Sequence, residues 1–212
     1  MATNLKCKIG IINLNVNNLF SIYKACSEAG YKVTVIDNKL KNYSYDILLM
    51  PGVGAFSSGI NYLKKNHIDE KIDNYLNKKN SFVYGICLGM QLLFSSSEEF
   101  KLNRGLKLIK GKVVKFQNQS SENKINIGWS KFKVFNNDYN KLFSEFENKF
   151  FYYIHSYYAK PNLKKNIISY SFHGKTNFCS ITKKDNIFGT QFHPEKSGEA
   201  GIKFLKKIKK II

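Results

Sequence analysis

A single α/β domain over residues 1–212, with a mostly parallel central sheet, helices on both faces and a strand-rich second half, is the fold class the sequence predicts. Three observations carry it. In the first half, short apolar runs alternate with stretches of helical periodicity, the pattern of a parallel sheet crossed by helices. The run from Tyr45 to Met50 is dominated by apolar residues and stops at Pro51, as a strand covered on both faces would. From Lys112 onward the helical pattern gives way to short strand-like runs, and no repeat or linker separates the halves.

The elements follow in order. Lys8 to Leu14 reads as a buried strand, and Leu19 to Ala29 as a helix stopped by Gly30. Lys32 to Ile36 is a second strand with Val33 and Val35 turned inward, and Tyr45 to Met50 is the third. Helical patterns cover Ser57 to Lys64 and Ile68 to Lys78. Ser81 to Ile86 is the next strand, and Leu88 to Phe94 opens another helix. Then come strands at Lys112 to Phe116, Trp129 to Phe135, Phe150 to Tyr158, Ile167 to Phe172, Phe178 to Thr182 and Ile187 to Phe192, expected to fold onto the same sheet. Near the end, Ile202, Leu205, Ile208 and Ile212 recur at spacings of three and four, giving a helix with one apolar and one basic face.

Composition excludes several classes. The chain carries 34 Lys+Arg against 15 Asp+Glu, a formal charge of +19. The lysines are dispersed along the chain, and the one dense run, Lys203 to Lys210, reads as the solvated face of the terminal helix. Charge therefore does not predict a nucleic-acid partner. A hydrophobic share of 43% and 15% aromatics exclude a disordered tail. Cys7, Cys26, Cys87 and Cys179 are too far apart for a paired-CxxC metal site and too few to staple the fold, so no metal and a reducing cytoplasm are expected. No apolar run reaches the roughly 18–20 residues that cross a bilayer, so no membrane partner is expected.

Chemistry concentrates in Tyr84-Gly85-Ile86-Cys87-Leu88-Gly89-Met90-Gln91. Gly-x-Cys-x-Gly between a strand and a helix is the cysteine form of a nucleophile elbow. Gly85 and Gly89 let backbone segments approach closely, and the turn sets the Cys87 sulfur at a helix N-terminus, which favours thiolate. Of the four histidines, His67 reads as exposed, His173 as a turn residue and His155 as part of a wall. His193 is followed by Pro194 and Glu195; residues two apart in an extended segment share a side, so Glu195 can orient the His193 ring. Cys87, His193 and Glu195 thus form a candidate triad. In Pro51-Gly52-Val53-Gly54, glycines on both sides of Val53 let its N–H turn toward a ligand; with the Leu88 N–H it would form an oxyanion hole.

In this order and spacing, these pieces resemble the class I (triad) glutamine amidotransferases. More narrowly, Pro51–Phe56, Gly85–Phe94, Ile127-Gly128-Trp129, Tyr153–Tyr158 and Gly189–Ser197 resemble the glutaminase subunits of imidazole glycerol phosphate synthases. The resemblance implies that Cys87 attacks the side-chain amide of L-glutamine, with Val53 and Leu88 holding the oxyanion and His193, oriented by Glu195, moving protons. It implies glutamine contacts at Gly54, Gln91, Glu99, Ser156 and Tyr157. It also implies no cofactor, and a heterodimer with a synthase barrel subunit that receives the ammonia in histidine biosynthesis. Asn18, Trp129 and Lys196 would face that partner.

Two segments depart from the family pattern. Asn13–Asn18 replaces the usual Asp-Tyr-Gly-x-Gly-Asn, and Ile125-Asn126 replaces the usual Pro-His. Both are expected on the partner-facing side. They open two alternative readings: a variant subunit feeding a sugar-modifying synthase for surface polysaccharide, or a stand-alone γ-glutamyl hydrolase.

Overall fold

The computed structural model describes residues 7–15, 19–36, 44–117 and 124–211. The first half runs β1 (Lys8–Ile12), α1 (Leu19–Glu28), β2 (Lys32–Ile36), β3 (Ile47–Gly52), α2 (Phe56–Lys65), α3 (Ile68–Leu76), β4 (Val83–Cys87) and α4 (Leu88–Leu92). The second half adds β5 (Phe94–Ser97), β6 (Asn103–Arg104), β7 (Ile109–Lys115), β8 (Asn126–Ser130), β9 (Phe132–Val134), α5 (Asn140–Phe143), β10 (Phe151–His155), β11 (Tyr157–Pro161), β12 (Ile167–His173), β13 (Thr176–Lys184), β14 (Ile187–Thr190) and α6 (Gly198–Ile208).

The central sheet has eight strands in the order β2-β1-β3-β4-β14-β13-β12-β9. Pairing is parallel from β2 through β14 and antiparallel from β13 outward. Strand β3 is buried along its whole length, and its period of two divides the core. Ile47 and Leu49 face α1 and α6, packing with Ile22, Cys26, Phe204 and Leu205. Leu48 and Met50 face α2 and α3, packing with Ile60, Leu63 and Ile72. Phe204, Leu205 and Ile208 of α6 are buried, each stabilising the fold by roughly 1.5–3 kcal/mol. The apolar face of the basic terminal helix is thus occupied by the core, leaving its lysines as a solvated exterior.

Several sequence expectations need correction. Strand β3 starts at Ile47, because Asp46 lies outside it and accepts from the Lys8 N–H at 2.7 Å. The helix expected over Leu88 to Phe94 ends at Leu92, and Phe94 opens a strand pairing with Ile109. Trp129 to Phe135 divides into β8 and β9, which lie in different sheets. Phe150 to Tyr158 divides at Ser156 into β10 and β11, also in different sheets. Only β9, β12, β13 and β14 of the second half extend the main sheet; β10-β8 and β11-β7-β5-β6 form two smaller ones. Apolar periodicity marks these runs as strands but cannot reveal where the chain changes sheets. The break at Ser156 matters most, because it brings that residue to a cavity.

Candidate active site

Cys87 is the last residue of β4, and α4 begins at the next residue. Its φ of 52° and ψ of −108° are strained for a residue with a Cβ, as an elbow requires. The flanking glycines are obligatory. A Cβ on Gly89 would sit 1.7 Å from the Met50 carbonyl oxygen, and one on Gly85 would meet the Gly89 carbonyl at 2.6 Å. The β3–β4 register sets Gly52 opposite Cys87, so Val53 follows beside Leu88; Gly54 adopts φ 114°.

Strand β14 lies parallel to β4 with Thr190 opposite Ile86, so the chain leaving β14 passes alongside Cys87. His193 is fixed there: its N–H donates to the Tyr152 carbonyl at 2.9 Å, and its carbonyl accepts from Ser197 Oγ at 2.6 Å. Its Nδ1 lies 2.7 Å from Glu195 Oε1, with the two side chains 2% and 8% exposed. The route differs from the expected extended segment, since Pro194–Lys196 is a 3₁₀ turn. Burial alone would push the His193 pKa down. The neighbouring Cys87 sulfur and the Glu195 carboxylate outweigh burial and raise it to about 10. Among the described residues Nε2 makes no aligned hydrogen bond, so the sulfur acts on the ring through proximity and charge.

Cys87, Val53, Gly54, Leu88, Gln91, Glu99, Ser156 and Tyr157 all border one cavity of about 190 Å³, closed by Ile125, Ile154 and His155. Every residue read from the sequence as nucleophile, oxyanion donor or glutamine contact therefore meets there. A Glu99 carboxylate oxygen accepts from the Phe56 N–H at 2.5 Å, tying it to the start of α2. Gln91 Nε2 donates to the Tyr157 carbonyl at 2.8 Å and to Gln191 Oε1 at 3.1 Å. A second pocket of about 40 Å³ touches Val53, His193, Glu195 and Lys196.

Trp129 is 53% exposed and meets the Tyr152 ring edge-on at 5.8 Å; Lys196 Nζ lies 5.7 Å from that ring's centroid. These two residues share one patch. Asn18 lies outside the described residues, as do Val16 and Asn17. Of the departures placed on the docking side, Ile125 is exposed, but Asn126 is buried and pairs with His155 Nε2 at 3.0 Å. That half of the departure is internal. The His155 pKa is lowered to about 3, chiefly by burial, so this ring is a neutral wall group.

Sequence reasoning gave Gln191 no role. Fully buried, it reaches Cys87 Sγ with its Nε2 at 3.6 Å. The alternate-residue rule applied forward from His193 to Glu195 would have found it when applied backward.

Residues 11–210 match the model of the family described as glutamine amidotransferase class-I. The imidazole glycerol phosphate synthase subunit HisH of Chlorobaculum tepidum is 40% identical over 201 residues, covering 92% of this chain and 96% of that one. The protein of the same name from Methanocaldococcus jannaschii is 38% identical, covering 96% of this chain and all of its own. Among solved structures, PurLQS from Thermotoga maritima superposes with a TM-score of 0.74 at 19% identity, covering 98% of this chain and 99% of that one. At that identity the likeness speaks for the fold.

Proposed function

The chain belongs to the class-I glutamine amidotransferases, and from that premise we propose that it is the glutaminase subunit of an imidazole glycerol phosphate synthase. It hydrolyses L-glutamine to glutamate and ammonia for a partner subunit in histidine biosynthesis. The observation that carries the reading is the buried His193–Glu195 pair, set beside a strained Cys87 that opens onto the 190 Å³ cavity.

In this reading the Cys87 thiolate adds to the side-chain carbonyl carbon of glutamine. The carbonyl electron pair moves onto oxygen, held by the Val53 and Leu88 N–H groups. His193, protonated in the resting site, gives its proton to the departing amine, and ammonia leaves as the C–N bond breaks. The neutral ring then takes a proton from water, whose oxygen attacks the thioester and releases glutamate and the thiolate. Glu195 keeps the ring oriented through both steps. Glu99 receives the substrate ammonium, and backbone around Ser156 and Tyr157 its carboxylate. Both Gln91 amide protons are engaged by Tyr157 and Gln191, so its Oε1 is the atom that meets substrate.

A partner is supported by the outer face of the β8–β10 ribbon. Ile127 lies directly opposite Ile154, and Trp129 opposite Tyr152. Ile127 is 60% exposed, and Ile125 continues the stripe to the cavity rim. An apolar stripe of this kind beside an active site supports reading it as a docking surface. We assign it, with Lys196, to a barrel-type synthase subunit forming a heterodimer with this chain. Ammonia needs such cover, because in neutral water it becomes ammonium and ceases to be a nucleophile. The free thiol of Cys87 fits a reducing cytoplasm. No described helix is long and apolar enough to cross a membrane.

The test is reconstitution with a cyclase subunit of histidine biosynthesis. Glutamine-dependent turnover that disappears in Cys87→Ala, with ammonia-dependent turnover retained, is the expected result. Efficient glutamine hydrolysis by a folded Cys87→Ala variant would overturn the reading.

A further inference from the structure

The geometry points to Gln191 as a further catalytic residue: its side-chain N–H donates to the Cys87 sulfur, and a buried polar chain running from the Tyr157 carbonyl through Gln91 fixes it in that orientation. The inference deepens the glutaminase reading and rests on it for the chemistry Cys87 performs.

The orientation follows from a carbonyl that can only accept. The Tyr157 carbonyl receives Nδ1 of His155 at 2.8 Å and Nε2 of Gln91 at 2.8 Å. His155 is therefore protonated at Nδ1, and its bare Nε2 accepts from Asn126 Nδ2 at 3.0 Å. The Gln91 amide cannot turn over, because its oxygen would then face the Tyr157 carbonyl. Its second proton goes to Gln191 Oε1 at 3.1 Å, so the Gln191 amide cannot turn either without setting two NH₂ groups against each other. What remains to face the sulfur is Gln191 Nε2, at 3.6 Å. The backbone is held as well, since the Gln191 N–H donates to the Ser180 carbonyl at 2.9 Å.

The chemical effect is directional. Besides the His193 ring, Sγ has the Ile154 carbonyl oxygen at 3.8 Å, which can accept only from a protonated thiol. Gln191 offers a donor and so favours the anion. Gln91 borders the substrate cavity, so the group that meets glutamine also sets the donor to the nucleophile. Asn126, one of this chain's departures from its family, holds the His155 ring that shares the Tyr157 carbonyl with Gln91.

The experiment compares wild type with Gln191→Met and Gln191→Leu. Both variants keep side-chain bulk and lose the donor to sulfur together with the acceptor for Gln91, and a folded example of either suffices. Alkylation of Cys87 by iodoacetamide, followed at its own peptide by mass spectrometry, is measured without substrate across pH. Loss of one hydrogen bond to the sulfur anion should move the midpoint up by about one pH unit and lower kcat about three- to tenfold. An unchanged alkylation midpoint in a folded variant overturns the proposal, whatever happens to turnover. Because alkylation needs no glutamine, this outcome is separate from a failure of the glutaminase reading, which would show as wild type releasing no glutamate.

Discussion

His193 Nδ1 and Glu195 Oε1 stand 2.7 Å apart across a single 3₁₀ turn, and both side chains are withdrawn from solvent. The carboxylate is therefore a fixed neighbour of the ring. Glu195→Gln keeps the shape and removes the charge. It should lower kcat for glutamine roughly 10²–10⁴-fold with little change in KM, as read by glutamate release.

The raised His193 pKa has a stability consequence with a definite sign. The folded ring holds its proton to about pH 10, whereas an unfolded histidine releases it near the ordinary value of 6.5. The resulting stabilisation is complete below about pH 6.5 and is lost as pH rises toward 10. Cys87→Ala removes the sulfur's share of that effect. Melting temperatures between pH 7 and 10 should fall more steeply for wild type than for this variant, and parallel curves would contradict the assignment.

His155 has the opposite sign. Burial, with smaller repulsion from His173 and His193, lowers its pKa to about 3 against the backbone bond to Tyr157. Unfolded chains take up this proton first, so the stabilisation present above pH 6.5 is lost as pH falls toward 3. His155→Gln should flatten the acid limb of a melting-temperature profile at some cost in stability at neutral pH.

The outward side of the β8–β10 ribbon can be tested apart from the chemistry. Ile127 does not border the cavity, and Ile127→Asp places a charge in the apolar stripe. Affinity for the synthase partner should fall at least about tenfold in a titration, with little change in melting temperature.

Gly89→Ala tests the elbow as structure. Its Cβ would collide with the Met50 carbonyl, a backbone atom in the middle of the sheet. Destabilisation of about 3 kcal/mol or more is expected, read as a lowered denaturation midpoint or loss of soluble protein.

How far the sequence could be read depended on how local the signal was. The elbow, the His193–Glu195 pair and the strand before Val53 each announce themselves within a few residues, and the parallel pairing of β3, β4 and β14 brings their C-terminal ends together at the middle of the sheet. The division at Ser156 was invisible because Tyr153 to Tyr158 keeps one strand-like character while its halves pair with β8 and β7. Gln191 was hidden because a glutamine's role depends on which amide atom its neighbours leave available, and those neighbours, Gln91 and Tyr157, lie far away in the chain. As a motif, Ile125-Asn126 reads as a change of docking surface; the alternation of Asn126 with Ile125 and Ile127 turns it inward.

That alternation divides labour along a single ribbon. Positions 125, 127 and 129 look out, while Asn126 looks in toward the catalytic chamber. Under the docking assignment proposed above, changes at positions 127 and 129 are expected to retarget the chain to a different acceptor enzyme while leaving the amide-cleaving apparatus untouched; Ile125, which borders the cavity, has to stay, and a library confined to those two sites is the economical way to redirect its nitrogen.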